Sequence, residues 1–249
     1  MSAPLVRMAV ILLLLGARPA MAQAEAAAYN QANALFAKGE YAEAIKLYNS
    51  IQTHNPDLEH NRGATHLKLG SLGKATLHFK RALRMAPGDE DSRFNLRYIA
   101  GVKADREMEP EIGASEKIIE WILCIGSAQD VAWLALGLYL AAMGSAMGLI
   151  LSGSARRGWM AALALLFICA LAAGGLTWAR MNRLHNPTEA VVMTAEAPVY
   201  QDPSSKGAPV FTLHEATIVR MGRVEGNYVF ATLSSGHSGW MDRASLEKI

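Results

Sequence analysis

The side chains best suited to recognising another molecule fall into two groups, on either side of a long apolar middle. The first holds three asparagines, Asn30, Asn61 and Asn95, set among Tyr29, Asn33, Phe36, His60, Lys68 and Tyr98. A carboxamide offers a donor and an acceptor side by side, which suits the backbone of an extended peptide. The second group is Tyr200, Tyr228 and Trp240, whose flat rings could line a groove for a peptide or for peptidoglycan. Each group has a plainer use. The asparagines can bond within their own helices, since most side-chain hydrogen bonds run to backbone or water. The aromatic residues can serve as packing, because such rings dominate burial in small domains.

Bond-breaking chemistry finds less to work with. The seven histidines, His54, His60, His66, His78, His185, His214 and His237, are dispersed, with no H-E-x-x-H pair, cysteine ligand cluster or calcium-loop pattern. No phosphate-cradling glycine loop and no G-x-S-x-G elbow occurs, and the acids of the repeat array are expected mostly on solvated helix faces. The expected function is binding rather than catalysis, with neither metal nor cofactor. Basic and acidic side chains number 24 and 22, for a net charge of +2, which argues against a nucleic-acid partner.

The segment that carries the asparagines repeats itself. Asn30 and Asn61, Gly39 and Gly70, Ala44 and Ala75, Tyr48 and Phe79, and Pro56 and Pro87 are all 31 positions apart. The unit reads as a helix, a Gly-centred turn, a second helix bearing a small Ala and an aromatic, and a stopping proline. A third half-unit from Asp89 to Lys103 supplies Asn95 and Tyr98 and reads as a capping helix. These residues resemble the tetratricopeptide family, through Gly39-Glu40-Tyr41 with Ala44 and Tyr48, and through Gly63 to Pro87. Ala28 departs from that pattern where a large aromatic is common, and Ala32 where Gly is common. The resemblance implies an all-α solenoid over 23–108 that binds proteins or peptides in its concave groove. Its lining residues would be Tyr29, Asn30, Asn33, Phe36, Asn61, Lys68, Asn95 and Tyr98.

The flanking segments place this array at a membrane. Arg7, an apolar run and Ala20-Met21-Ala22 give residues 1–22 the form of a signal peptide, cleaved between Ala22 and Gln23. Two uncharged runs, Val131 to Leu151 and Trp159 to Ala179, are each long enough to cross a bilayer. Trp133, Trp159 and Trp178 sit near their ends, where aromatic belts form. The expected layout is a linker with an interfacial helix over 109–127, spans over 128–151 and 159–179, and a cytoplasmic loop over 152–158. Arg156 and Arg157 in that loop are matched by Arg180 and Arg183 beyond the second span, so the signal decides the orientation. It puts the array and the C-terminal segment together on the periplasmic side of the inner membrane. Gly144 and Gly148 have the spacing of a close helix contact, either in a homodimer or against Ala161, Ala164 and Gly174 of the second span. Cys124 and Cys169 lie in apolar stretches and read as buried structural thiols rather than a disulfide.

Within the last expected domain, 180–249, the chain becomes β-rich after Pro187. Runs at 190–194, 199–200, 209–213, 217–224, 228–233 and 239–241 alternate with turn signals such as Glu225-Gly226-Asn227 and Ser234-Ser235-Gly236. Alternation sets Val229, Ala231 and Leu233 on one face and Tyr228 and Phe230 on the other. Ala197-Pro198-Val199-Tyr200, Tyr228-Val229 and Gly236-x-x-Gly239-Trp240 resemble the bacterial SH3-like family, which implies a small all-β barrel. Tyr228 stands where Trp is frequent there. The whole order of parts is similar to the BatE-like aerotolerance-operon family of bacterial membrane proteins. That resemblance implies a scaffold working beside von Willebrand factor A proteins and a MoxR-type ATPase. The rival expectation is a peptidoglycan-binding module that positions or regulates a cell-wall enzyme.

Overall fold

The computed structural model describes residues 23–105, 128–151, 156–185, 188–203 and 207–249. The expected signal peptide with its Ala22–Gln23 cleavage site, the interfacial helix, Cys124 and most of the loop between the spans fall outside those ranges. The described chain is mixed: paired helices, two long apolar helices, and a small antiparallel sheet region.

Helices α1 (23–37), α2 (Tyr41–Ser50), α3 (Pro56–Lys68), α4 (Leu72–Met85) and α5 (Glu90–Val102) follow one another through short turns. Gly39 and Gly70, both at positive φ, make the two equivalent turns, a conformation that costs a side-chain-bearing residue energy. Gly63 is needed for a different reason: a Cβ there would lie 2.8 Å from the Phe79 ring. The buried Ala44 and Tyr48 of α2 and Ala75 and Phe79 of α4 occupy matching positions, so the 31-residue offset is a true packing repeat. Ala32, the departure from the tetratricopeptide pattern, is fully buried beside them.

Pro56 departs from the expectation of a stopping residue. Helix α2 has already ended at Ser50, and Pro56 opens α3, where its missing N–H costs nothing. Asn55 caps that helix by accepting from the Leu58 N–H at 2.8 Å. Asp89 does the same for α5, accepting from Asp91 and Ser92. Helix α4 has no side-chain cap of its own and no acid in its first turn.

Helices α6 (Ala128–Leu151) and α7 (Arg156–His185) pack side by side. Within them, Asp130–Leu151 and Arg157–Ala179 are long and apolar enough to cross a membrane, and both are almost wholly exposed. Exposed Trp133, Leu140, Ile168, Leu171 and Trp178 are what lipid-facing helices carry, and the pair fits a two-span membrane protein. Gly148 lies against Trp159 of the same chain, whereas Gly144 and Gly174 face open space. Cys169 is free and exposed rather than buried.

The last 61 positions form β1 (Glu189–Val192), β2 (Glu196–Val199), β3 (Phe211–His214), β4 (Ile218–Glu225), β5 (Tyr228–Thr232), β6 (Ser238–Asp242) and β7 (Leu246–Lys248). One sheet has the order β6-β5-β4-β1-β7 and the other pairs β2 with β3, all antiparallel. Val192, Val199, Leu213, Val219, Val229 and Met241 from both sheets share one core. Strand β7 was not anticipated. It is three residues long, and only its pairing with β1 defines it.

Candidate functional site

Three features stand out, and two of them correspond to the residue groups expected from sequence. On the β-module, Val229 and Ala231 face the core, so Tyr228 and Phe230 are on the outer face of β5. Phe230 pairs with Trp240 across the ladder, and Trp240 in turn exchanges backbone hydrogen bonds with Tyr200 at 2.7 Å. The rings follow that pairing: Phe230 and Trp240 meet edge to face at 5.4 Å, and Tyr200 and Tyr228 at 6.3 Å. Gly239, beside Trp240, must be glycine, because a Cβ would lie 2.5 Å from Val199.

The structure thus brings Tyr200, Tyr228 and Trp240 together, but gives them different roles. Trp240 is only 3 % exposed, covered by Phe230 and by the Arg223 guanidinium, which lies 5.2 Å from the Trp240 ring and 5.8 Å from Phe230. Tyr200 and Tyr228 keep accessible surface. A β-bulge between Met221 and Val224 inserts the extra residue that allows Arg223 to reach this face. Phe230 was visible in the alternation; Arg223 was missed, since a bulge leaves no periodic trace.

In the helical array, Asn61 donates to the Tyr29 hydroxyl at 2.8 Å and to Asn33 Oδ1 at 3.2 Å, while Tyr48 donates to the same Asn33 oxygen at 2.5 Å. Tyr29, Asn33 and Asn61 therefore form one network spanning two helical pairs. Asn95 instead donates to the Asp91 carbonyl in its own helix. Phe36 packs edge to face on Tyr41, and His60 sits 5.5 Å from Phe79 while bonding Ser92. Lys68 and Asn30 are exposed, and Tyr98 is 55 % exposed. Of the eight expected lining residues, Tyr29, Asn33 and Asn61 share this network, while Asn95 bonds within α5. Tyr29 and Asn30 border a hollow of about 370 Å³ at the first end of the array.

The acids of this array are expected mostly on solvated faces, and Glu59 is an exception. It is 2 % exposed, bonded at 2.7 Å to both Arg62 and His78. Arg62, itself 6 % exposed, reaches the carbonyls of Tyr48 and Ile51 at the end of α2. Burial pushes the Glu59 carboxyl up, but the His78 and Arg62 contacts outweigh it and hold it at about 2. The adjacent His66 stacks on His78 at 5.4 Å, and burial, with the nearby His78, Lys74 and Arg62 charges, lowers it to about 4.

The third feature had no precursor in the sequence reading: the helical array and the β-module are joined. Glu215, in the turn between β3 and β4, accepts at 2.8 Å from the Gly73 N–H and so supplies the cap that α4 lacks. Its neighbour Ala216 sits at φ +73 and is buried with Ala75, Phe79 and Ile99. Asp105 grips the same turn, accepting from His214 N, His214 Nδ1 and Thr217 Oγ1, each at 2.7 Å. Burial raises the Asp105 carboxyl, but these hydrogen bonds prevail and hold it below the usual range. Leu77 packs with Val191 and Ile249, and Arg81 bonds Glu247 and the Lys248 carbonyl.

Among the described residues no group of His, Cys, Asp or Glu is arranged to hold a metal ion. In comparisons with family models, curated proteins and solved structures, the chain matches none of them.

Proposed function

We propose that the chain is a membrane-anchored, non-catalytic scaffold that holds protein partners at the surface of a bacterial envelope. In this reading the helical pairs act as a short tetratricopeptide solenoid and the sheets as an SH3-like barrel. The observation that supports it is the seam through Glu215, Ala216 and Asp105, which joins the helical array to the β-module in a chain that also carries two apolar helices. A partner held by one surface then meets the other at high effective concentration. The signal-like N-terminus supports a periplasmic position for both modules, at the inner membrane. The resemblance to the BatE-like family extends the reading to an aerotolerance or stress complex with von Willebrand factor A proteins and a MoxR-type ATPase.

Photoreactive phenylalanine introduced at Tyr29 or Tyr98 of the full chain in living cells tests the scaffold. Discrete protein adducts from these positions are expected, and adducts to lipid alone would count against it. A second reading has its own support in the accessible Tyr200–Tyr228 pair: a peptidoglycan-binding module that positions or regulates a cell-wall enzyme. Sedimentation of the detergent-solubilised full chain with purified peptidoglycan separates the two. Pelleting that disappears in Tyr200→Ala/Tyr228→Ala would favour the wall.

A further inference from the structure

The hollow at the first end of the array has a chemical character that the asparagine network lacks. Its lining includes the buried Ile51 and Leu58, the exposed Ala26 and the ring of Tyr29. Its lining carries two carboxylates, Glu25 and Asp57, and among the described residues no Lys or Arg lines it. Glu25 is fixed in position: one oxygen accepts from the Gln52 N–H at 2.9 Å and the other from the Thr53 hydroxyl. Those two bonds, the Thr53 one foremost, hold its carboxyl below the usual range. Each oxygen has a lone pair left over for an incoming donor. Asp57 lies in the first turn of α3 and is exposed.

Uncharged solutes or acidic groups gain little from such a site. An aliphatic stem ending in a cation fits both parts of it, because Lys and Arg cover apolar surface with their methylenes while keeping the charged head among polar groups. The volume of about 370 Å³ is at the small end of ligand sites, suited to one side chain rather than a folded segment. A guanidinium can bond carboxylates through several N–H groups at once, so the paired acids give it direction as well as charge.

We propose that this hollow is the anchoring subsite of the array and takes an arginine or lysine side chain of a partner protein, its stem on Ala26, Ile51 and Leu58 and its cation between Glu25 and Asp57. The proposal rests on the partner-binding reading above and names the chemistry of the partner. The nearby Tyr29 links the subsite to the Asn33–Asn61 network, so a peptide anchored here has a polar surface ahead of it.

The test uses the full chain in lipid nanodiscs and fluorescent Gly/Ser peptides with one central Arg, Lys, citrulline or Glu, followed by anisotropy. Arg and Lys peptides are expected to bind about tenfold or more tightly than the citrulline peptide, which has the shape without the charge. That advantage is expected to shrink as salt is raised and to vanish in Glu25→Gln/Asp57→Asn. Because Glu25 also ties α1 to Thr53, a second variant, Ala26→Trp, fills the hollow at an exposed position and leaves both carboxylates in place. Equal binding of Arg and citrulline peptides, or full binding to folded Ala26→Trp, would overturn the subsite. Crosslinking from Tyr98, which lies outside the hollow, reports on the scaffold alone: adducts there without an arginine advantage would remove the subsite and leave the scaffold standing.

Discussion

Two seams hold the folded parts of this chain together, and each is built around a carboxylate and a histidine nitrogen 2.7 Å apart. Within the second helical pair the partners are Glu59 of α3 and His78 of α4, buried with Arg62, which reaches across to the Tyr48 and Ile51 carbonyls at the end of α2. Between the array and the β-module they are Asp105 and His214, with the histidine side chain 39 % exposed. Equal geometry does not mean equal energy. A buried charge that loses its partner is left unsolvated, whereas water can reach into the second seam and replace what is lost. The inner seam is therefore expected to depend more on its carboxylate than the outer one, where Ala216, Leu77, Val191 and Ile249 are also buried between the two modules.

The largest effect expected is at Glu59. Glu59→Ala strands Arg62 in the interior and is expected to cost roughly 3–5 kcal/mol, seen as a lowered denaturant midpoint of the helical signal. Next comes acid. A His66 lowered to about 4 in the folded chain binds a proton more readily once unfolded, so stability falls as pH drops from about 6.5 to 4. The Glu59 contribution is lost later, as pH falls below the ordinary carboxylate range toward about 2. His66→Gln is expected to flatten the first of these slopes, by on the order of 2–3 kcal/mol across that window, in melts run as a pH series.

Asp105→Ala, at the outer seam, is expected to cost about 1–2 kcal/mol, because it removes three hydrogen bonds to a turn that stays partly wet. Its signature differs in kind: faster proteolysis around residues 214–217 with the helical melt almost unchanged. The smallest effect is at Arg81, whose pair with Glu247 is partly exposed on both sides. Arg81→Ala is expected to change stability by less than about 1 kcal/mol, which a melt of the same preparation would register. If Glu59→Ala and Asp105→Ala proved equally costly, burial would not be what separates the two seams.

How far the sequence foretold all this depends on range. Gly39 and Gly70, or Tyr48 and Phe79, announce themselves because a packing unit that stacks must repeat its small and large residues at one offset. Val229 and Ala231 against Tyr228 and Phe230 were readable because a strand alternates. The two apolar helices needed only length and absence of charge. Asp105 and His214, by contrast, are 109 positions apart, and neither belongs to a period that would mark it. Glu59 misled for a related reason. An acid in the first turn of a helix looks solvated, and only the tertiary approach of His78 and the Arg62 fork reveals it as buried. Pro56 shows the same ambiguity in miniature, because proline marks a helix boundary without saying which side of it the helix lies on.

The cap on α4 also bears on the order in which the protein is made. Gly73 is synthesised long before Glu215, with both apolar helices in between. The array therefore emerges before its α4 acceptor exists, and the Gly73 N–H can be capped by Glu215 only once the tail has folded. Until then the first turn of α4 lacks that acceptor, and the cluster of Ala75, Phe79 and Ile99 lacks Ala216.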